Sequence, residues 1–273
     1  MNNKKYRYAL IIEYLGNSFS GSQLQPGQNT VQSEIERALA ILTKQETKTV
    51  FSGRTDSGVN AKGQFVHFDT DKEVDIRRFT HSLNAIILDN ISVRHMREVD
   101  KSFHSQKSAR YRWYRYMINN RKSRSVLLKN ITTHIPEDLD TEEMQKALDC
   151  IAGKQDFTSF KNTNSDNPAK ECNLMFAKCR KISDIIYIDL IANRFLYNMV
   201  RIIVGTLIEI GLGKYRAEEI VRILEEKDRT NAGPTAAPQG LTLMGVGYDE
   251  KYNLNELMHM EATNEQNLLC KAS

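Results

Sequence analysis

Hydrophobic and polar positions in the first hundred residues follow two periodicities, one typical of strands and one typical of helices. Residues 6–14 and 91–99 are rich in aromatic and β-branched side chains, which favours strands. Apolar residues at helical spacing predict helices over 31–42, with Thr30 as the N-cap, and over 75–88. Together with two short strand-like runs around residue 56, the predicted order is strand, helix, strand, strand, helix, strand.

The second half of the chain predicts a similar order of elements. Strands are predicted over 111–118, 174–182, 185–192 and 241–247, and helices over 141–151, 195–212 and 217–226. The helix over 195–212 is apolar on nearly every side, which predicts burial against a sheet. We therefore expect two α+β halves, 1–106 and 107–249, sharing one sheet. A polar tail over 250–273 is expected to be disordered.

Composition narrows the class of protein only moderately. The chain has 273 residues, of which 40% are hydrophobic and 26% charged, as in a soluble globular protein. Its formal net charge of +4 permits a nucleic-acid partner without requiring one. No apolar run reaches the roughly eighteen residues of a membrane span. We expect a soluble, cytoplasmic protein.

The cysteines fit neither a metal site nor a disulfide framework. All four lie far apart in the sequence, at Cys150, Cys172, Cys179 and Cys270. Zinc sites and disulfide frameworks usually show closely spaced cysteines, so reduced thiols in a cytosolic protein are the simpler interpretation. The histidines also lack metal-ligand spacing, and His67 and His104 are expected to be structural or to face a nucleic-acid partner.

The segment 52–59 places one carboxylate, Asp56, between a cation and two glycines. It lies between a strand-like run over 47–51 and an alternating run over 64–68, which predicts strand, tight loop, strand. The neighbouring Arg54 carries a planar guanidinium suited to phosphate or to an unstacked base. The pattern alone is more typical of an ordinary turn with a capping aspartate.

Arginines also occur in two other places where they are unusual. Residues 110–116 interleave arginines with aromatic residues, and strand alternation places Arg110, Arg112, Tyr114 and Tyr116 on one face. Cations beside rings can bind phosphates and unstacked bases, although a core strand with solvated arginine ends gives the same pattern. Arg201 lies inside the apolar helix, where it must either find a partner or extend to solvent at the helix edge.

Residues 53–61, Gly-Arg-Thr-Asp-Ser-Gly-Val-Asn-Ala, resemble the signature loop of the TruA family of tRNA pseudouridine synthases. Further matches follow in the family's order up to about Tyr248, at 156–160, 193–205, 227–229 and 240–241. The resemblance implies an α+β fold of two fused ferredoxin-like halves. These would share a mostly antiparallel sheet flanked by helices, with an active-site cleft between the halves.

The resemblance also implies roles for individual residues. Asp56 would be the catalytic carboxylate, and Arg201 the cation that keeps it ionised. Tyr114 would lie over the target uracil and Leu241 under it, although Leu241 could equally be a buried strand leucine. Arg54 would fill the space left by the everted base or bind the adjacent phosphate. Further phosphate contacts are expected from Lys62, Arg110, Arg112, Arg121, Lys122 and Arg124, each of which could also be an ordinary surface charge.

Isomerising uridine to pseudouridine involves no redox step, so neither a metal nor another cofactor is expected. The resemblance implies a tRNA partner, modified at positions 38, 39 and 40 of the anticodon stem-loop, and a homodimer in which one tRNA contacts both subunits. The target base must leave its stack before a carboxylate can reach the nucleoside.

Three departures from the family pattern leave the exact target open. Ser22 replaces a large aromatic residue, Asn60 a histidine and Gln106 a frequent arginine, and all three are expected on RNA-facing loops. One alternative is a diverged paralogue that modifies another tRNA site or another RNA, and a second is an RNA-binding module without turnover. A glycosidase is disfavoured because no second carboxylate is well placed beside Asp56.

Overall fold

The computed structural model describes residues 6–163, 170–252 and 254 of the chain. These residues group into two compact units. The first consists of the described parts of Met1–Thr55, Ala61–Arg110 and Gly245–Ser273, and the second of Asp56–Asn60 and the described parts of Tyr111–Met244. The Asp56 loop therefore groups with residues that lie far from it in sequence. The division into halves at 106 and 107 stays a prediction.

Three long strands, one short strand and two helices lie in the first unit. Its elements are β1 (Tyr6–Tyr14), α1 (Val31–Thr43), β2 (Thr49–Phe51), β3 (Asn60–Thr70), α2 (Ile76–Ile86) and β4 (Ile91–Val99). Strand β1 pairs antiparallel with both β3 and β4, and β2 pairs antiparallel with β3. The predicted order of strands and helices in this region is confirmed.

The second unit is built on an antiparallel set of strands covered by helices. Its elements include β5 (Ala109–Asn119, from Tyr111), β6 (Thr133–His134), α3 (Thr141–Cys150), β7 (Gly153–Asp156), β8 (Glu171–Ile182), β9 (Ile185–Ala192), α4 (Met199–Gly211), α5 (Glu219–Glu226) and the start of β10 (Leu241–Tyr248). Strands β5, β9, β8 and β7 pair antiparallel in that order, whereas β6 pairs parallel with β5. The expected α+β class with mostly antiparallel pairing is confirmed.

Helix α4 lies in the core of the second unit. Val200, Ile203 and Leu207 are at most 4% exposed and belong to the same hydrophobic cluster as Ile188 of β9. Because apolar residues surround the helix, its burial removes water from most of its circumference. The predicted burial of this helix is confirmed.

Several predicted boundaries were wrong by a few residues. The long apolar helix begins at Met199 and not at 195, because Asn198 adopts a left-handed backbone with φ of 61°. Helix α2 ends at Ile86, and Asp75 is its N-cap, accepting a hydrogen bond from the backbone of Arg78. The short strands β6 and β7 were not predicted, since two to four residues carry too little periodicity.

The predicted tail over 250–273 lies outside the described residues, apart from residues 250–252 and 254, so its expected disorder stays a prediction. Glu250–Tyr252 forms a short 3-10 turn. Over the described part of the chain, no helix has both the length and the apolar character needed to cross a membrane.

Candidate active site

Asp56 lies in the loop that connects β2 to β3 in the chain. The loop closes with a hydrogen bond from the backbone N–H of Val59 to the carbonyl of Asp56, at 3.1 Å. Gly58 has a φ of +79°, a conformation that residues with a Cβ rarely adopt. The glycine therefore permits the tight turn that presents the aspartate.

Arg201 meets Asp56 at close range. Its Nη1 lies 3.6 Å from Oδ2 of Asp56, and the two side chains are only 15% and 21% exposed. Partial exclusion of water strengthens the attraction between the two charges relative to an exposed ion pair. The carboxylate is thus held beside a permanent cation while remaining open to a ligand.

Further hydrogen bonds fix the guanidinium of Arg201. Its Nε donates to the carbonyl of Ala236 at 2.7 Å, and Nη1 donates to Oδ1 of Asn198 at 3.1 Å. The backbone N–H of Ala236 donates in turn to the carbonyl of Arg201, at 3.0 Å. The alternative of a side chain extending freely to solvent is wrong, because the hydrogen bonds of Nε and Nη1 hold the guanidinium in place.

The segment 233–240 contacts both helix α4 and the Asp56 loop. A Cβ on Gly205 would lie 1.7 Å from the carbonyl oxygen of Pro234, so only glycine lets the helix and the segment approach so closely. At the other end, a Cβ on Gly58 would lie 2.9 Å from Cγ of Pro238. One segment therefore packs against the elements that carry each member of the ion pair.

Tyr116, which strand alternation grouped with Arg110, Arg112 and Tyr114 on a possible binding face, is fully buried and ties β5 to the same segment. Its hydroxyl donates to the carbonyl of Ala237 at 2.8 Å and lies 2.6 Å from Oγ1 of Thr133. Burial raises its pKa to about 12, although the nearby Arg201 opposes the rise. A Cβ on Gly240 would lie 2.6 Å from the tyrosine ring, and this close approach was not readable from the strand pattern.

Tyr114 and Leu241 lie in the same unit as the ion pair. Tyr114 is half-buried on β5, and its ring meets Phe195 edge-on with centroids 5.2 Å apart. Leu241 is 5% exposed at the start of β10 and belongs to the core cluster. A half-buried ring can still offer one face to a ligand, whereas Leu241 is largely covered.

The expected phosphate-binding residues occupy different settings. Arg54 is exposed on the loop after β2, and Lys62 is half-buried on β3. Arg110 forms a bidentate ion pair with Asp249, at 2.6 and 2.8 Å, and Nη1 of Arg112 donates to the carbonyl of Asn193 at 2.9 Å. The loop residues Arg121, Lys122 and Arg124 are half-buried, exposed and exposed, respectively.

Two of the three residues that depart from the family pattern are buried. Ser22 is fully buried, and its Oγ accepts a hydrogen bond from the backbone of Thr55 at 2.8 Å. Asn60 is only 3% exposed. The prediction that both lie on RNA-facing surfaces was therefore wrong, because their polar groups bind neighbouring backbone instead. Gln106 is exposed, in agreement with its predicted position.

Within the described ranges, no group of three or more His, Cys, Asp or Glu side chains is placed to hold a metal ion. Cys150, Cys172 and Cys179 are free thiols, and burial raises the pKa of Cys172 to about 11 and that of Cys179 to about 12. These two thiols are therefore protonated and unreactive at neutral pH. Cys270 lies outside the described residues.

The arrangement suits chemistry by a single carboxylate. An ionised aspartate beside a fixed guanidinium can act as a nucleophile or as a base, and the arginine stabilises its charged form. In the same unit, the half-buried ring of Tyr114 can offer a stacking surface.

Comparison with known proteins shows the family to which the chain is similar. The family described as tRNA pseudouridine synthase matches residues 147–249. The protein named tRNA pseudouridine synthase A of Bacillus pumilus is 42% identical over 240 residues, covering 87% of this chain and 97% of the relative. The proteins of the same name from Geobacillus sp. and Shewanella baltica are 42% and 41% identical, and cover 89% and 92% of this chain and 98% and 96% of their own lengths.

Identity of about 40% along nearly the full length of these relatives is far above what a shared fold alone requires. The aligned region spans most of the described chain, including the segments that carry the ion pair. The chain therefore belongs to the family of tRNA pseudouridine synthases, which are isomerases.

Proposed function

We propose that this protein isomerises uridine to pseudouridine at positions 38, 39 and 40 in the anticodon stem-loop of tRNA, with Asp56 as the catalytic carboxylate. The observation that carries the proposal is the contact, at 3.6 Å, between Arg201 and Asp56. Asp56 lies on the loop that resembles the family's signature. The relatives named tRNA pseudouridine synthase A support tRNA as the substrate. The position within the tRNA rests on the resemblance of the loop.

The reaction breaks the N1–C1′ bond, turns the base and joins C5 to C1′. The proton leaves C5, and N1 ends with a proton, so the product has the same atoms and the same oxidation state. Asp56 supplies the carboxylate, either as a nucleophile toward the sugar or the base or as a base toward the sugar. Arg201 stabilises the ionised form of this carboxylate before it reacts.

Supporting roles follow for the surrounding residues. Tyr114 stacks on the target uracil and takes part in the later proton transfer, and Leu241 forms the floor beneath the base. Arg54 occupies the space vacated by the everted nucleotide or binds the adjacent phosphate. Lys62, Arg110 and Arg112 contribute phosphate contacts, for which Arg110 must exchange its ion pair with Asp249.

The protein works as a homodimer on one tRNA, in the cytoplasm, and without a metal or another cofactor. Homodimerisation is carried by the family resemblance. The cytoplasmic setting is consistent with the free thiols of Cys150, Cys172 and Cys179.

Mapping of pseudouridine in tRNA tests the function and the target together. Cells that lack this protein should have uridine at positions 38 to 40, and the wild-type chain should restore pseudouridine there. Purified protein should produce the same pattern on an unmodified tRNA transcript. Pseudouridine restored only at another tRNA position would contradict the proposed target, and no restoration at all would contradict the function.

A further inference from the structure

Asn60 is a buried polar side chain that joins three segments of the second unit. Its amide nitrogen donates to the carbonyl of Asn130 at 3.0 Å and to the carbonyl of Gln239 at 2.9 Å. The residue is 3% exposed, so water contributes little to satisfying these carbonyls. An amide with two hydrogens can bind both carbonyls at once, which gives this residue type a clear advantage here.

The position of Asn60 relates directly to the ion pair. It lies four residues after Asp56, at the end of the same tight loop and at the first position of β3. Gln239 belongs to the segment 233–240, in which Ala236 accepts the hydrogen bond from Nε of Arg201. The same short segment is therefore bonded to the arginine through Ala236 and to the end of the aspartate loop through Gln239.

The loop and the segment also meet through packing. Pro238, between Ala236 and Gln239, lies directly against Gly58. Packing of this kind restrains the separation of two backbones but leaves them free to slide, whereas a directed hydrogen bond also fixes their register. Asn60 provides two such bonds at the end of the loop.

We propose that Asn60 is a positioning residue for the reaction. Its amide fixes the Asp56 loop to the segment that holds Arg201, and so sets the placement of the carboxylate relative to the guanidinium and the bound nucleoside. The inference rests on the proposed function. It gives one of the chain's departures from the family pattern a role inside the protein.

A single-turnover assay tests the inference, with protein in excess over an unmodified tRNA transcript. Loss of folded protein lowers the amount of active protein, whereas misplacement of a catalytic group lowers the first-order rate constant at saturating protein. Asn60→Ala removes both hydrogen bonds and should lower this rate constant by roughly tenfold to a hundredfold. Asn60→Asp keeps the size but has no N–H to donate, and should lower it at least as much.

Asn120 offers a matched control. Its side chain is 6% exposed, and its amide nitrogen also donates to two backbone carbonyls, those of Ile135 at 3.0 Å and Glu137 at 2.7 Å. Asn120→Ala removes the same type of interaction, together with the hydrogen bond that Oδ1 accepts from Lys181, without touching the Asp56 loop or the segment 233–240. It should lower the melting temperature and leave the rate constant of the folded protein unchanged.

The outcomes separate the two proposals. A rate constant that falls in both Asn60 variants and not in Asn120→Ala supports the positioning role. Unchanged rate constants in the Asn60 variants, or equal losses in all three variants, overturn it. Asn60→His retains one N–H on its ring and should give an intermediate rate constant. It replaces either of the other Asn60 variants in the comparison if that variant folds poorly. A wild-type protein that makes no pseudouridine in tRNA overturns the proposed function itself.

Discussion

At the scale of single residues, the candidate site depends on how one arginine is satisfied. Arg201 lies in a helix whose other residues are almost all apolar, and this setting indicated from sequence that the guanidinium needs a partner. The partner carboxylate is present. Two further oxygens bind the guanidinium, the backbone carbonyl of Ala236 and the side-chain amide oxygen of Asn198. They could not be predicted, because both residues are uncharged and nothing in the sequence marks them as partners of an arginine.

Arg201→Ala should lower the single-turnover rate constant by about a hundredfold or more, because it removes a fixed cation from beside the proposed catalytic carboxylate. Arg201→Lys should recover only part of this loss, since an ammonium group cannot reproduce the planar fork that binds Ala236 and Asp56 together. Rapid-quench measurement at saturating protein would check both variants. Near-normal turnover by Arg201→Ala would refute the pairing.

His67 is another residue whose surroundings change its titration. It is 4% exposed, its Nδ1 lies 2.9 Å from Oγ of Ser105, and it was expected to be structural or to face RNA. Burial, assisted by the positive charges of Arg7 and His104, lowers the pKa of His67 to about 4. Its burial supports the structural role.

This pKa predicts a loss of stability in mild acid. His67 binds a proton near pH 6.5 in the unfolded chain and only near pH 4 in the folded chain. The free energy of unfolding is therefore at its full value above pH 6.5 and decreases as the pH falls toward 4. Between pH 7.5 and pH 5 the loss should be roughly 2 kcal/mol. Urea denaturation of wild type and His67→Gln should show the smaller pH dependence in the variant. Equal pH dependence would show that His67 does not titrate as described.

At the scale of elements, the segment 233–240 organises the site although it has almost no regular structure. Strands and helices were predictable because their periodicity reflects burial, as for β1, β4 and β9. The segment has no such period, and its contacts run through backbone carbonyls and through close approaches at glycines, among them Gly58, Gly205 and Gly240. Its importance was therefore not readable from the sequence.

Gly205→Ala should disturb both stability and activity. The new methyl group would collide with the backbone of Pro234, and the resulting shift should cost roughly 1 to 3 kcal/mol or more. The displaced segment carries Ala236, so the rate constant should fall as well. Chemical denaturation and single-turnover kinetics would measure the two effects.

Gly211→Ala is the matched control on the same helix. Its added Cβ would meet Sδ of Met144 at 2.9 Å, the flexible part of a side chain that can move aside. Stability and turnover should therefore change little. Equal effects of the two substitutions would contradict a special role for the approach at Gly205.

At the scale of the whole molecule, the order of elements and the family were predictable, while the grouping of the Asp56 loop was not. Asp56–Asn60 belongs with Tyr111–Met244 although its neighbours on both sides belong to the first unit. Contacts between residues so far apart in sequence leave no local pattern. The roles of Ser22 and Asn60 were misjudged for the same reason, since burial depends on distant segments.

Binding of tRNA should weaken steeply with salt, because the proposed contacts of Lys62, Arg110 and Arg112 are made to phosphates. Each phosphate contact should contribute about −0.7 to −0.9 to the slope of log K against log salt concentration. Fluorescence anisotropy with labelled tRNA from about 50 to about 200 mM KCl would measure the slope. An affinity independent of salt would remove phosphate contacts from the proposed mode of binding.

The most direct test of the central claim compares wild type with Asp56→Asn on an unmodified tRNA transcript. The substitution keeps the size of the side chain and removes its charge, so both proteins should bind the tRNA. Wild type should convert uridine to pseudouridine at positions 38 to 40, and Asp56→Asn should form none. Pseudouridine formed by Asp56→Asn at the wild-type rate would contradict catalysis by this carboxylate.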